Sequence, residues 1–323
     1  MKNPHDKFFK ETLTRRENAV SFFREYLPPE TVSRLDWRTL KIARGSFVDP
    51  GLRERFSDIV YEIRAKGRLL LIYLLMEHQS TVDPWMPLRF LRYMTELWEL
   101  WRKQNPKADK LPGIIPVLFC HGEDEWDVSV HFRDILEEPG LTGEFVPRFR
   151  YLLRDFSSSG DDEIRGTVML RLFLTVMGKI FSPGLAEELE RIMPLFAELS
   201  EKKTVMQYLD TVLRYIYHAC DTVTPEDVET KLLQAIDEDR KGVLMTIAEQ
   251  LRAEGEIKGR TEGEIKGEIK GEIKGKIELY QELVGSGLIS RGMAEQKVAD
   301  LMRKLEEVTK AADKKVPSKP LIH

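Results

Sequence analysis

The sequence predicts an α/β front half followed by an all-α rear, and three patterns carry that expectation. FSDIVYEIR and LLLIYLLMEHQ, separated by a short AKGR break, read as the two strands of a buried hairpin, because an apolar run this short, bounded by Gly, suits a central strand. A further apolar run, GIIPVLFC, follows a helix-length segment and stops at Gly122. Beyond about Phe145 the patterning is helical.

Taken in order, Asp6 is placed to cap a helix of residues 7 to 27, since a short carboxylate can accept from the free amides of a first turn. Pro28-Pro29 ends that helix. Residues 31 to 55 read as irregular, with a short strand around Leu40 to Ala43. After the hairpin, Asp83-Pro84 marks a helix start, Pro being suited to the first helical position, and the helix runs to about Lys103. The strand GIIPVLFC follows. Helices are expected near 161 to 181, 184 to 200, 203 to 219 and 225 to 236, the last opened by Thr224-Pro225-Glu226. A final helix spans 290 to 312, ahead of a charged end. The expected domains are therefore residues 1–145, an α/β core; 146–253, a helical domain; 254–289, a repeat segment; and 290–323, a terminal helix and tail.

The repeat EGEIKGRTEGEIKGEIKGEIKGKI has a four-residue period. Glycine costs up to ~1 kcal/mol at each helix-interior position, and in a strict Gly-Glu-Ile-Lys period each Glu meets another Glu four residues on, so i,i+4 neighbours repel. Isoleucines 257, 265, 269, 273 and 277 nevertheless keep to one slowly rotating stripe. Two readings stand: a flexible linker, or a helix that a second copy stabilises by packing.

Composition bounds the function. With 42% hydrophobic and 32% charged residues over 323 positions, the chain is globular in type, and a soft ~150 residues per domain allows about two units. Cys120 and Cys220 lie far apart without a CxxC partner, which excludes a disulfide framework and a thiolate zinc site. The opening residues are charged, and no run approaches the ~18 apolar residues of a membrane span, so no membrane partner and a cytoplasmic location are expected. The net charge of -4 argues against a phosphate-rich partner. It hides a split: residues 1 to 110 hold 21 Lys and Arg against 15 Asp and Glu, and the remainder 29 against 39. Solvated faces explain such a split as well as a polyanion partner does.

The hairpin carries the chemistry. If Gly67-Arg68 forms a two-residue type II′ loop, paired positions sum to 135 and Asp58 stands directly across from Glu77. Cross-strand Cβ atoms are then ~4.5 to 5.5 Å apart, and alternation places Gln79 on the face of Glu77. Two buried acids side by side need a cation, and oxygen ligation suits Mg²⁺ or Mn²⁺ over zinc. The alternative is an exposed Asp58 at a strand end with Glu77 paired to an arginine. Arg89 and Arg92 share a helix face, for phosphate contact or for salt bridges with Glu96 and Glu99. His5 and His121 lack a helical H-x₃-H partner and read as structural. Tyr93, Trp98 and Trp101 read as core, with Trp126 packing near the exit of the Gly122 strand.

In chain order, PHDKFFKETL, SDIVYEI, LLLIYLLMEHQST with its DPWMPLRFLRYM continuation, and IIPVLFCHGEDEW resemble the Rpn/YhgA-like transposases. These are recombination-promoting nucleases of the PD-(D/E)XK superfamily. The resemblance covers residues 4 to 250, and the repeat tail is also similar. It implies a restriction-endonuclease-like core with a mixed sheet flanked by helices, acting as a DNA endonuclease. It implies that Asp58 and Glu77 hold the metal with the backbone carbonyl of His78, that Gln79 takes the usual lysine position, and that Glu11 on the first helix is an additional acid. A neutral amide at 79 orients a water but brings it no positive charge. A second reading is therefore a catalytically weakened DNA-binding or assembly protein on the same scaffold. A transposase proper would need an end-binding module, and no basic helix-turn-helix is evident.

Overall fold

The computed structural model describes residues 4–43, 57–79, 83–122, 126–138, 143–157, 163–182, 184–192, 202–220, 238–288 and 290–313, with isolated positions between them. Two compact units divide the chain, Met1–Ala248 and Glu249–His323.

Within the first unit, five described strands form one sheet in the order β1 (Leu35–Ile42), β2 (Ser57–Ala65), β3 (Arg68–Gln79), β4 (Gly113–Gly122) and β5 (Leu152–Asp155). The first two pairings are antiparallel and the last two parallel, so the sheet is mixed. A parallel pair needs a crossover, which helix α4 (Met86–Gln104) supplies between β3 and β4. The α/β class expected from the sequence is the class observed.

Helices α1 (Pro4–Leu13) and α2 (Arg16–Tyr26), the latter followed by the one-turn α3 (Pro29–Val32), cover one sheet face together with α5 (Val168–Lys179). Phe9, Phe22 and Phe173 surround Phe119 at ring separations of 5.4, 6.0 and 5.7 Å, and the Tyr61 hydroxyl donates to the Leu13 carbonyl at 2.7 Å. On the other face, Met86, Phe90, Tyr93 and Leu97 of α4 bury Val60, Tyr73, Leu75, Leu118 and Cys120. With both faces covered, β3 has to be apolar through its length, which is why LLLIYLLM shows no alternation. Behind α1 lies α7 (Lys202–Ala219), while α6 (Leu185–Ile192) packs on α5.

Several boundaries differ from expectation. The first helix is two: α1 ends at Leu13 and α2 starts at Arg16, with Asn18 Nδ2 donating to the Thr12 carbonyl across the break. Because α1 begins at Pro4, Asp6 lies inside its first turn and pairs with Lys10 at 3.0 Å instead of capping. The first strand runs over eight residues. Its alternation is hidden by a register shift between Asp36 and Lys41, which turns both Leu35 and Leu40 inward. Thr39 Oγ1 accepts from the Arg64 amide at 2.9 Å inside that irregularity. Strand β5 falls where helix was expected, and its four residues are too few to display a period. The expected start at Thr224-Pro225-Glu226 lies outside the described residues, as do residues 193–200.

Helix α8 (Glu238–Gly285), most of which belongs to the second unit, carries the glycine repeat in helical form, and α9 (Arg291–Asp313) follows. The repeat is broken at Arg260 and Lys276, and there the favourable i,i+4 pairs form, with Glu264 and Glu272. Ile273 and Ile277 are 8% exposed, whereas Ile257 is 67% exposed, so the apolar stripe is covered at one end. No helix among the described residues is long and apolar enough to cross a membrane.

Candidate active site

The turn of the hairpin sets the site. Lys66 and Gly67 both have positive φ, 50° and 78°, the signature of a type I′ loop, whose twist matches that of the flanking strands. The loop is therefore Lys66-Gly67 rather than Gly67-Arg68, and paired positions sum to 133. Asp58 stands across from Leu75, not Glu77. A slip of one residue would have turned every side chain to the other face; a slip of two keeps the face. Position 77 thus becomes the diagonal neighbour of Asp58, with Cβ atoms somewhat under ~7 to 8 Å apart, on the same side of the sheet. The side chains of Glu77, His78 and Gln79 lie outside the described residues; their backbones pair with Cys120, His121 and Gly122 of β4.

Asp58 opens β2 on the face of α4. Its Oδ2 accepts from the Tyr73 hydroxyl at 3.1 Å. Burial, above all, pushes the Asp58 carboxyl up from its ordinary value of 3.8; the Tyr73 bond and the positive charge of Lys10 pull the other way, and the charge of Asp6 adds to the rise. The acid of α1 that bears on Asp58 is thus Asp6, one helical turn from Lys10. Glu11 pairs with Lys7 at 3.6 Å, is half exposed, and borders a shallow depression with Thr211, Arg214 and Tyr215 of α7. The structure does not bring it to Asp58.

Arg89 and Arg92 part company. Arg89 Nη1 donates to Asp83 Oδ2 at 3.0 Å, and its positive charge slightly opposes the rise that burial imposes on the Tyr73 hydroxyl. Arg92 is 72% exposed and bonded to Glu96 at 2.9 Å, the surface salt bridge weighed from the sequence. The rings of His5 and His121 meet at a tilt with centroids 5.0 Å apart, and His5 Nδ1 bonds the Tyr215 hydroxyl. They lie on the α1 face, opposite Asp58. Trp98 Nε1 donates to the Pro112 carbonyl, and Trp126 Nε1 to the Tyr151 hydroxyl.

Asp6, Lys10, Tyr73 and Asp83 join the site without having stood out as site residues in the sequence. Tyr73 carried a usable signal, since 73, 75, 77 and 79 share one parity on a strand.

Donor chemistry is the test of a divalent cation here. A largely buried carboxylate with a raised pKa, beside a second acidic position and a strand-end carbonyl, offers hard oxygen ligands and a charge that burial leaves under-compensated. The residues fit Mg²⁺ or Mn²⁺. Among the described residues no three His, Cys, Asp or Glu side chains converge.

The family model described as "Putative transposase, YhgA-like" matches residues 3–239. The chain belongs to this family. Within the YhgA-like family it is 30% identical to the recombination-promoting nuclease RpnA of Escherichia coli K12 over 254 residues, 78% of this chain and 85% of that protein. It is equally 30% identical to the inactive recombination-promoting nuclease-like protein RpnE of the same strain over 257 residues, 78% of this chain and 83% of the relative. The recombination-promoting nuclease RpnC, also of that strain, aligns over 196 residues at 30% identity, covering 60% of this chain and 64% of that protein. No solved structure matches the chain.

Proposed function

We propose that this YhgA-like protein is a metal-dependent DNA endonuclease with a PD-(D/E)XK core, hydrolysing phosphodiester bonds in DNA recombination or the movement of mobile elements. The observation that carries the reading is the buried Asp58 carboxylate on the sheet face that also presents positions 77 and 79. Relatives named recombination-promoting nucleases support it.

Asp58 and Glu77, with the His78 carbonyl, would hold Mg²⁺ or Mn²⁺. The bound ion supplies Lewis acidity and a water of lowered pKa. Tyr73 fixes the Asp58 carboxylate by donating to Oδ2, which leaves Oδ1 for the ion. Gln79 orients the attacking water through its amide. Arg89, held by Asp83, contributes positive charge for the phosphate, with Arg92 further along the same helix as a backbone contact. We assign the additional acid of the first helix to Asp6, with Glu11 as the residue it displaces in that role. The DNA substrate places the protein in the cytoplasm, where Cys120 and Cys220 stay as thiols.

Position 79 favours a second reading. Without a lysine there, a scaffold that binds DNA and cuts weakly is the alternative, and one relative carries "inactive" in its name. A plasmid-nicking assay with Mg²⁺ and Mn²⁺ decides between them. Wild type is expected to nick and Asp58→Ala to fall by at least ~10²-fold with an unchanged circular dichroism spectrum. Equal nicking by both would remove Asp58 from the site, and DNA mobility shifts without new ends would establish the binder.

We further propose that the stripe of α8 joins two copies of the chain, Ile257 and Ile269 being left open along it.

A further inference from the structure

A second concentration of basic side chains lies in the segment between β4 and β5. His131 bridges Arg150 in an antiparallel pairing, and Arg133 follows in the short 3-10 helix Phe132–Ile135. The intervening Phe132 and Phe149 stack at 5.4 Å, and Phe132 is buried. Phe132 is turned inward, whereas His131, Arg133, Arg148 and Arg150 are exposed. His131, Arg133, Arg148 and Arg150 all line one open pocket of about 390 Å³.

Like charges gathered around one opening oppose each other, so such a cluster stands at a cost unless an anion joins it. Among the described residues the only ion pair here is Arg133 with Asp134, at a loose 3.9 Å. Arg148 Nε is committed to the Gly143 carbonyl, which leaves its terminal NH₂ groups for a ligand. Three guanidinium forks around one opening match phosphate oxygens bidentately, as lysines would not.

We infer that this pocket binds the phosphodiester backbone of a nucleic-acid strand. The inference rests on the DNA substrate proposed above but not on the metal site. Arg150 sits two residues before β5, whose first residue is level with Val117, while position 77 is level with Cys120. The arginines would thus grip the strand away from the scissile bond.

Fluorescence anisotropy of a labelled DNA oligonucleotide with the full chain in EDTA tests this without cleavage. Arg148→Ala/Arg150→Ala is expected to weaken binding about tenfold and to lower the slope of log affinity against log salt by about two, one for each phosphate no longer neutralised. Arg148→Lys/Arg150→Lys keeps the charge and is expected to keep that slope. If the double alanine variant lowers the melting temperature, Arg150→Glu alone carries the test, its side chain being exposed. Unchanged affinity and slope would overturn the inference. So would a deoxynucleoside monophosphate that binds as tightly as the oligonucleotide, since the ligand would then be a small phosphate ester. A protein that binds through the arginines but never nicks would refute the nuclease reading and leave this one standing.

Discussion

At Asp58, burial and the neighbouring Asp6 oppose the charge, while Tyr73 and Lys10 support it. Because the folded carboxyl holds its proton more tightly than the unfolded one, the apo fold loses stability as pH rises from 3.8 through the raised folded value. Asp58→Asn removes that loss. Its melting temperature is expected to exceed that of wild type at pH 7 and to converge with it near pH 3; a lower melting temperature at pH 7 would contradict the assignment. The residue types at 58, 77 and 79 were legible in the sequence, since acids ending an apolar hairpin call for compensation. Tyr73 was not, because a phenol inside LLLIYLLM reads as core until its hydroxyl is seen on Asp58. Asp6 and Glu11 are both acids of one helix, and only the docking of α1 shows which turn faces the sheet.

Among the elements, β2 and β3 were legible as a hairpin from their composition, yet their register was not. The deciding fact, that Lys66 accepts a left-handed conformation, is one a β-turn sequence discloses poorly when Asn or Asp is absent. The two-residue error in pairing left the facial assignment intact, so the polar positions stayed together. Strand β5 was invisible to periodicity, but its exit constrains α5 closely: a Cβ on Gly178 would meet the Phe156 carbonyl oxygen at 2.7 Å. That oxygen is backbone, and the Phe156 amide is itself held by the Cys120 carbonyl at 2.9 Å, so the strand cannot yield easily. Gly178→Ala is expected to cost about 1–3 kcal/mol, read as a lower urea midpoint with an unchanged m-value. A neutral result would show that the helix slides away at no cost.

Across the whole molecule, the family match spans residues 3–239 and stops near the boundary between the two units. The candidate chemistry belongs to the first unit. The second is built from a repeat whose glycines and like-charged i,i+4 neighbours make a poor lone helix, with Ile273 and Ile277 buried along its isoleucine stripe and Ile257 exposed. Truncation after Ala253 is expected to convert a dimer to a monomer in light scattering, while metal-dependent nicking per chain persists. An unchanged mass would rule out this helix as the joint. A dimer would bring two sites to one DNA, as paired cuts require.

The proposed nuclease chemistry rests on a divalent ion shared by positions 58 and 77 on neighbouring antiparallel strands. Mn²⁺ binding followed by electron paramagnetic resonance measures it directly. Wild type should take up one tightly held ion per chain, and both Asp58→Asn and Glu77→Gln should lose it. Retention of wild-type binding by either variant would contradict the shared site.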